Sequence, residues 1–205
     1  MTSFAEIDAV TIDAYGTLLE LRDPVASLAR LLPGHDRGAI ERAFRAEAEH
    51  YIVHSRHGRD PDSLAQLYAE CAGVFNETLG SSLAPEEYVG ALDAEYGVLP
   101  GVEDALARLR ALGLELAVVG NWDYRLPEQL EQLGLTRHFT AIVTSAATGA
   151  AKPDPRPFLA ALGRLGVAPE RALHVGDSPD DEEGARAAGM RFAPVPLSTV
   201  VDRIR

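Results

Sequence analysis

Cysteine is nearly absent from this sequence, which has one, Cys71, in 205 residues. A lone cysteine excludes a disulfide within the chain, and we expect it to be a small buried hydrophobe rather than a nucleophile. Such sparse usage is typical of a reducing compartment, so we expect a cytoplasmic location. Long apolar runs are also missing, because none approaches the roughly 18–20 residues that span a bilayer. The first residues have no basic segment followed by a long apolar one, so no secretory signal is expected.

Positively charged residues are also few relative to negatively charged ones. Lysine and arginine number 19 against 31 aspartates and glutamates, for a formal net charge of −12. The overall field therefore repels nucleic acid and anionic membranes, and we expect neither as a partner. An anionic substrate would have to be held by local cationic groups. Composition is otherwise that of a globular protein, with room for one core and a small insertion.

Short apolar runs rich in β-formers recur along the chain and predict strands. They cover residues 7–13, 114–120, 140–145, 171–176 and 190–195. From the second run onward, amphipathic helical patterns separate them, and this alternation indicates a parallel sheet covered on both faces. The predicted fold class is therefore α/β, with a doubly wound parallel sheet.

The segment between the first two predicted strands is far longer than a crossover needs. It predicts an inserted, all-helical cap over residues 19–92, and the α/β core then comprises residues 1–18 and 93–205. Breaks rich in glycine, proline and serine divide the cap into helices. The predicted helices cover residues 24–32, 38–55, 62–79 and 85–95.

Chemically reactive residues stand where the predicted strands end. Asp13 ends the first strand, Asn121 follows the second, and Asp177 follows the fourth, while Lys152 lies in a loop after the third. Because the carboxyl ends of parallel strands share one edge of a sheet, we expect these side chains to converge. Asp13 is the candidate nucleophile for a covalent intermediate, although an aspartate at a strand end can also simply cap a turn.

Two further groups have both a functional and a structural interpretation. Asp177 and Asp181 supply oxygen ligands that suit Mg²⁺, whereas the neighbouring acids Asp180, Glu182 and Glu183 are better explained as complements to a helix dipole. Lys152 would be a solvated surface residue in most contexts. Its place after a strand end favours a role in neutralising the nucleophile and holding substrate oxygens.

Four ordered segments carry a family resemblance: "DAYGTL", "VVGN", "KPDPRPF" and "VGDSPDD". They resemble the motifs of the haloacid dehalogenase-like hydrolase superfamily, over residues 7–194, and the helical insertion resembles the cap of that superfamily.

The resemblance implies a role for each matching residue. Asp13 would be the nucleophile, and Mg²⁺ would be held by Asp13, the main-chain carbonyl of Tyr15 and Asp177, with support from Asp181. Lys152 would steady the nucleophile and the substrate anion. Around them, Thr17 would support the first loop and Asn121 would help to position the substrate.

Two positions depart from the pattern of the phosphatases in this superfamily. Tyr15 replaces the aspartate that protonates the leaving group, and Gly120 replaces the usual substrate-binding serine or threonine. Tyr15 is instead shared with the 2-haloacid dehalogenases, where the halide leaves without a proton. In those enzymes a cap arginine receives the halide or carboxylate, and it would fall at Arg45, which could equally be a surface arginine.

Other residues favour the phosphatase. The dehalogenases have a tyrosine where this chain has Phe158, and they lack the metal-binding Gly-Asp that this chain keeps at Gly176 and Asp177. The sequence therefore predicts a Mg²⁺-dependent phosphatase acting on a small anionic metabolite through an aspartyl-phosphate. The alternatives are a 2-haloacid dehalogenase using Asp13, or a catalytically degenerate member that binds a ligand or partner. A monomer or a homodimer is expected.

One polar cap segment, "VHSRHGRD" at residues 53–60, has two interpretations. Its basic residues could overhang the pocket and select substrate, as loops commonly do. The segment could instead be a solvated turn between two helices, and the glycine and the charged residues favour this second interpretation.

Overall fold

A five-stranded parallel sheet forms the centre of the protein in a computed structural model that describes residue 4, residues 6–93 and residues 96–204. Its strands are β1 (Ala9–Ile12), β4 (Glu115–Gly120), β5 (Ala141–Thr144), β6 (Ala172–Gly176) and β7 (Arg191–Pro194). They lie in the order β5-β4-β1-β6-β7, and every neighbouring pair is parallel. The predicted α/β fold with a central parallel sheet is confirmed.

Side chains along each central strand alternate between two apolar cores, as the two-residue period of a strand requires. In β1, Val10 and Ile12 face one core and Ala9 faces the other. Helices cover both faces, so both faces of the strands are buried. The helices on the first face are α5 (Val102–Ala111), α6 (Leu126–Gln132) and α10 (Leu197–Val201), and those on the second are α8 (Arg156–Leu165) and α9 (Pro179–Ala187).

Four α-helices lie between residues 21 and 96, and we call them the helical insertion. They are α1 (Pro24–Leu31), α2 (Arg37–His54), α3 (Pro61–Leu79) and α4 (Pro85–Asp93). A two-stranded antiparallel ribbon, β2 (Leu19–Leu21) with β3 (Tyr96–Val98), connects them to the sheet. The predicted helix over 85–95 extends onto residues 94 and 95, which lie outside the described residues. The division of the chain into domains at residues 18 and 92 stays a prediction.

The insertion has its own apolar core, in which Leu28, Ile40, Phe75 and Tyr88 are buried. Three of its helices, α1, α2 and α3, begin at aspartates whose side chains accept a hydrogen bond from the first-turn backbone, as N-caps do. These aspartates are Asp23, Asp36 and Asp60.

A second contact joins the insertion to the sheet, away from the β2–β3 ribbon. The short 3₁₀ turn Ser55–His57 lies against helix α7 (Ser145–Thr148), and the hydroxyl oxygens of Ser55 and Ser145 are 2.8 Å apart. The Tyr124 N–H donates to the Gly58 carbonyl over 2.9 Å. The segment 53–60 is a turn between two helices that docks on the carboxyl end of the sheet through Ser55 and Gly58, while His57 and Arg59 stay exposed. None of its residues lines the cavity at that edge.

In the part of the chain that the structure describes, none of the helices is both long and apolar enough to cross a bilayer.

Candidate active site

The reactive side chains converge at the carboxyl edge of the sheet, as predicted. Strand β1 lies between β4 and β6, so the residues that follow these strands are neighbours in space. The Asp13 N–H donates to the carbonyl of Val175, the penultimate residue of β6, over 2.9 Å. This arrangement aims Asp13 into the crevice where open α/β sheets bind their ligands.

Lys152 is the buried cation of this site. Its ammonium donates to Asp13 Oδ1, to Asp181 Oδ1 at 2.5 Å and to the Val119 carbonyl at 3.2 Å, which uses all three of its donors. Burial opposes its charge, but the two carboxylates hold the pKa of Lys152 above its ordinary value. The lysine is thus a fixed positive charge against the candidate nucleophile.

Asn121 holds the backbone that carries this lysine. Its Oδ1 accepts from the Lys152 N–H at 2.7 Å, and its Nδ2 donates to the Lys152 carbonyl at 3.1 Å. Substrate positioning by main-chain or side-chain hydrogen bonds of Asn121 stays a prediction, and in this structure its side-chain amide is occupied by the lysine loop. It therefore acts on the site by fixing Lys152.

Asp181 is a fully hydrogen-bonded carboxylate. Besides Lys152, its Oδ1 meets His174 Nε2 at 3.0 Å, and its Oδ2 accepts from the Ser178 N–H at 3.1 Å and hydroxyl at 2.6 Å. Burial opposes ionisation, but the His174 hydrogen bond and the Lys152 charge hold the pKa of Asp181 below its ordinary value. Asp181 therefore stays ionised and anchors the lysine.

His174 was missed by sequence reasoning. It is fully buried in β6, between the Thr11 hydroxyl at 2.8 Å and Asp181, and burial lowers its pKa. A neutral imidazole in this place donates to the carboxylate and accepts from the hydroxyl. The signal was one polar residue within the apolar strand "ALHVG", since a buried polar side chain needs a partner.

Three carboxylates form an acidic cluster that fits a divalent cation. Asp13, Asp177 and Asp181 each place an oxygen within 4.8 Å of the others. Burial raises the pKa of Asp13 to about 7 although Lys152 opposes the shift. Burial and then the Asp181 charge raise the pKa of Asp177. Carboxylates crowded in this way favour either protons or a cation, and oxygen ligands of this type suit Mg²⁺.

The loop after β1 approaches this cluster closely. Gly16 has φ of 80°, and a Cβ there would lie 2.2 Å from Asp177 Oδ2, so only glycine allows the approach. Tyr15 beside it is 46% exposed. Thr17 is buried, and its hydroxyl has no hydrogen-bond partner among the described residues.

A cavity of about 400 Å³ opens above the cluster, between the sheet edge and the helical insertion. The predicted site residues that line it are Asp13, Tyr15, Asn121, Lys152, Asp177 and Asp181. Sequence reasoning missed its other wall, which includes Tyr51, Tyr68, Asp123 and Arg125. No spacing pattern in the sequence indicates these residues, because whether they lie close together depends on how the insertion docks on the sheet.

The structure does not bring three predicted residues, Thr17, Arg45 and Gly120, into this lining. The Arg45 side chain is 71% exposed and pairs with Glu41 at 3.6 Å, because it lies on the face of α2 opposite the cavity. Gly120 ends β4 beneath the first loop, where a Cβ would meet Ala14 at 3.3 Å and Leu126 at 3.4 Å. Arg45 is therefore a surface arginine, and the missing side chain of Gly120 leaves room for packing.

Comparison with known proteins agrees with this geometry. The haloacid dehalogenase-like hydrolase family profile matches residues 7–189. The chain is 35% identical to the Bos taurus haloacid dehalogenase-like hydrolase domain-containing protein 3, over 96% of this chain and 86% of that protein. It is 45% identical to a phosphoglycolate phosphatase of Chromobacterium violaceum, over 89% and 82% of the two chains.

Among solved structures, the L-2-haloacid dehalogenase of Xanthobacter autotrophicus with covalently bound chloropropionic acid has a TM-score of 0.72 and 25% identity. The match covers 92% of this chain and 77% of that one. Relatives thus include both a phosphatase and a dehalogenase. The match of the family profile over most of the chain, together with the order of the site residues along it, leads to one conclusion: the chain belongs to the haloacid dehalogenase-like hydrolase family.

Proposed function

We propose that this protein is a Mg²⁺-dependent phosphatase that hydrolyses a small phosphate monoester through an aspartyl-phosphate on Asp13. One observation carries the proposal: the three-carboxylate cluster of Asp13, Asp177 and Asp181 is built around a buried lysine. Displacement of a halide needs no such cluster, and extra carboxylates near Asp13 weaken it as a nucleophile unless a cation neutralises them.

In the proposed reaction, an Asp13 carboxylate oxygen attacks phosphorus while the ester oxygen departs with its bonding electrons. Lys152 balances charge beside the nucleophile, and water then cleaves the acyl phosphate to release phosphate and regenerate Asp13. Asp13, the Tyr15 carbonyl and Asp177 would hold Mg²⁺, which would neutralise charge on the carboxylates and on the substrate. Asp181 would keep Lys152 in place.

The residue at position 15 shapes the substrates that we expect. Tyr15 is a much weaker acid than an aspartic acid, and burial raises its pKa further, so it is a poor substitute as proton donor. Positioned acid–base help is worth about 10²–10⁴-fold. Esters whose leaving group is a stable anion should therefore turn over better than alkyl phosphates. We further propose a cytoplasmic protein, a monomer or homodimer, that binds neither nucleic acid nor membrane.

A second candidate function is 2-haloacid dehalogenation. Its support is Tyr15, which leaves the attack by Asp13 intact, and the likeness to the dehalogenase structure. The placement of Arg45 on the outer surface counts against it, because the carboxylate of a haloacid would not reach that arginine.

One substrate panel separates these functions. Aryl phosphates, alkyl phosphates and 2-chloropropionate are each incubated with Mg²⁺ and with EDTA, and released phosphate and chloride are measured. The phosphatase predicts phosphate release that requires Mg²⁺. Chloride release that persists in EDTA would establish the dehalogenase, and no turnover combined with ligand-induced stabilisation would favour a degenerate binding protein.

A further inference from the structure

Beyond the acidic cluster, aromatic side chains dominate the cavity. We call this part the aromatic chamber, and it is lined by Phe44, Tyr51, Tyr68, Tyr88, Tyr96 and Trp122. Four of these come from the helical insertion, one from β3 and one from the loop after β4. A cavity of about 400 Å³ lies within the usual range for small-molecule sites, roughly 300–1,000 Å³. It has room for a group larger than the two-carbon portion of a small phospho-acid.

The chamber offers ring surfaces rather than free hydroxyls. Tyr51 donates its hydroxyl proton to Asp123 Oδ2 at 2.7 Å, and the Tyr68 hydroxyl lies 3.4 Å from the same oxygen. Tyr88 donates to Glu47 Oε2 at 2.7 Å. The hydroxyls of Tyr51, Tyr68 and Tyr88 are each engaged with a carboxylate, so a ligand would meet the apolar faces and edges of these rings.

Charge in the chamber disfavours a second anionic group on the substrate. The two cations that line the described cavity are Lys152 and Arg125. All three donors of Lys152 are already used in hydrogen bonds to Asp13, Asp181 and Val119. Arg125 donates to the Tyr68 hydroxyl at 2.6 Å, and its guanidinium lies 5.4 Å from the centre of that ring. Against them stand Glu47 and Asp123, so a carboxylate on the leaving group would meet repulsion.

A cationic group is also poorly matched. Glu47 and Asp123 line the cavity but are only 6% and 1% exposed, and each already accepts a hydrogen bond from a tyrosine. An ammonium could reach either carboxylate only after breaking those hydrogen bonds in a buried setting, which is costly. A flat, uncharged aromatic group needs no such rearrangement and can stack on the rings.

We infer that the aromatic chamber selects phosphate esters whose leaving group is an uncharged aromatic ring, rather than carboxylate-bearing or amine-bearing esters. The inference rests on the proposed phosphatase function. Two independent features of the chain agree on it. The chamber accommodates a ring, and an aryl oxide is a leaving group stable enough to depart without the acid that Tyr15 replaces.

Binding of phosphonates tests the inference without relying on turnover, because their carbon–phosphorus bond has no ester oxygen to release. Calorimetry with Mg²⁺ compares phenylphosphonate with methylphosphonate, phosphonoacetate and 2-aminoethylphosphonate. We expect phenylphosphonate to bind about tenfold more tightly than each of the others. Equal or tighter binding of phosphonoacetate or 2-aminoethylphosphonate, or no binding of phenylphosphonate, would overturn the inference.

Failure of the underlying function has a different signature. If small alkyl phosphates are hydrolysed with Mg²⁺ but phenylphosphonate has no advantage, the inference is wrong and the phosphatase stands. If no phosphate ester is hydrolysed but phenylphosphonate retains its advantage, the selectivity of the chamber is supported and the phosphatase is wrong.

Filling the chamber gives a matched pair of variants on helix α2. Ala48 lines the cavity, whereas Ala46, two residues earlier, lines a separate groove on the outer side of the helix. We expect Ala48→Leu to weaken phenylphosphonate about tenfold more than methylphosphonate, and Ala46→Leu to change neither. Equal losses for both ligands in Ala48→Leu would overturn the inference.

Placing a charge in the chamber gives a second pair. Ile52 lines the cavity and is 43% exposed, and Val53 beside it is 55% exposed and lies outside the lining, so both tolerate lysine. Ile52→Lys should shift the ratio of phenylphosphonate to phosphonoacetate affinity about tenfold toward phosphonoacetate, and Val53→Lys should leave it unchanged. An unchanged ratio in Ile52→Lys, or the same shift in both, would count against the chamber.

Discussion

The side-chain amide of Asn121 hydrogen-bonds both polar backbone atoms of Lys152, at 2.7 and 3.1 Å. Lys152 in turn spans Asp13 and Asp181 with its ammonium. Asn121 therefore acts on the candidate nucleophile Asp13 indirectly, by holding Lys152 in position. The family resemblance assigns Asn121 to substrate positioning. These two hydrogen bonds predict instead that substituting Asn121 disturbs the position of Lys152.

Asn121→Ala should lower kcat by about 10–100-fold, because a lysine loop that moves by even 1 Å loses its alignment with Asp13. Steady-state kinetics on an aryl phosphate with Mg²⁺ measures the loss.

Asn76→Ala is a matched control, because Asn76 makes the same pair of bonds to Leu83, both at 2.9 Å, in the helical insertion. Both variants should lose about 1–3 kcal/mol of unfolding free energy, but only Asn121→Ala should lose activity. Similar kcat values for the two variants would refute a positioning role for Asn121.

Mg²⁺ should stabilise the folded protein through the acidic cluster. Ligand at 100 times its Kd adds about 2.7 kcal/mol, which at this size corresponds to roughly 5–10 °C in Tm. Asp177→Asn should abolish this rise. Glu183→Gln removes the same charge from an exposed position on α9 and should retain it. The measurement is a thermal unfolding series in MgCl₂, and a full Mg²⁺ response in Asp177→Asn would exclude that residue as a ligand.

The sheet and the residues at its edge were predictable, because the position of each strand in the sequence also fixes which residues follow its carboxyl end. Strands that run parallel end at one edge, so Asp13, Lys152 and Asp177 could be expected to meet once the strands were recognised. The far wall of the cavity follows no such rule. Which face of α2 points inward depends on the docking of the insertion. For that reason Tyr51 was missed, and the sequence left open whether Arg45 faces the substrate or the solvent.

Tyr15→Asp should restore a proton donor for alkyl leaving groups. Tyr15 lines the cavity beside Asp13 and is 46% exposed, so an aspartate there would face the substrate. Without further optimisation we expect about a tenfold increase in kcat/KM for an alkyl phosphate, and little change for an aryl phosphate. Tyr15→Phe is the control and should behave as the wild type does on both. An unchanged or lower rate on the alkyl ester in Tyr15→Asp would argue against the missing-acid explanation.

Glu47 should make stability depend on pH. It is buried in α2, and burial raises the pKa of its carboxyl although hydrogen bonds from Tyr88 and Cys71 oppose the shift. Since the folded pKa exceeds the unfolded value of about 4.3, its contribution is complete below that pH and is lost as pH rises through the folded pKa. Glutamine does not titrate, so Glu47→Gln should gain stability relative to the wild type as pH rises.

Urea unfolding of both proteins at several pH values between about 5 and 8 measures this difference. Glu49→Gln, on the exposed side of the same helix, should stay within about 0.5 kcal/mol of the wild type throughout. A gap between Glu47→Gln and wild type that narrows with rising pH would contradict the assignment.

The contact between the segment 53–60 and the sheet should be as important to the site as the ribbon that connects the insertion. Gly58 has φ of −76°, which any residue adopts, yet a Cβ there would lie 2.8 Å from Asp123 Cβ. The glycine is needed for close approach and not for its backbone angle. Asp123 is also the acceptor for Tyr51, so a displaced loop would disturb the cavity wall.

Gly58→Ala should therefore raise KM and lower kcat/KM by about tenfold, because the two sides of the cavity can no longer meet at their present distance. Gly73→Ala is the matched control. Gly73 lies inside helix α3, where an added methyl group would meet no neighbouring side chain within 4 Å, so alanine should add roughly 0.5–1 kcal/mol of stability and leave kinetics unchanged. Kinetics and urea unfolding on both variants separate loss of docking from loss of folding. Wild-type kinetics in Gly58→Ala would mean that this contact has no part in shaping the cavity.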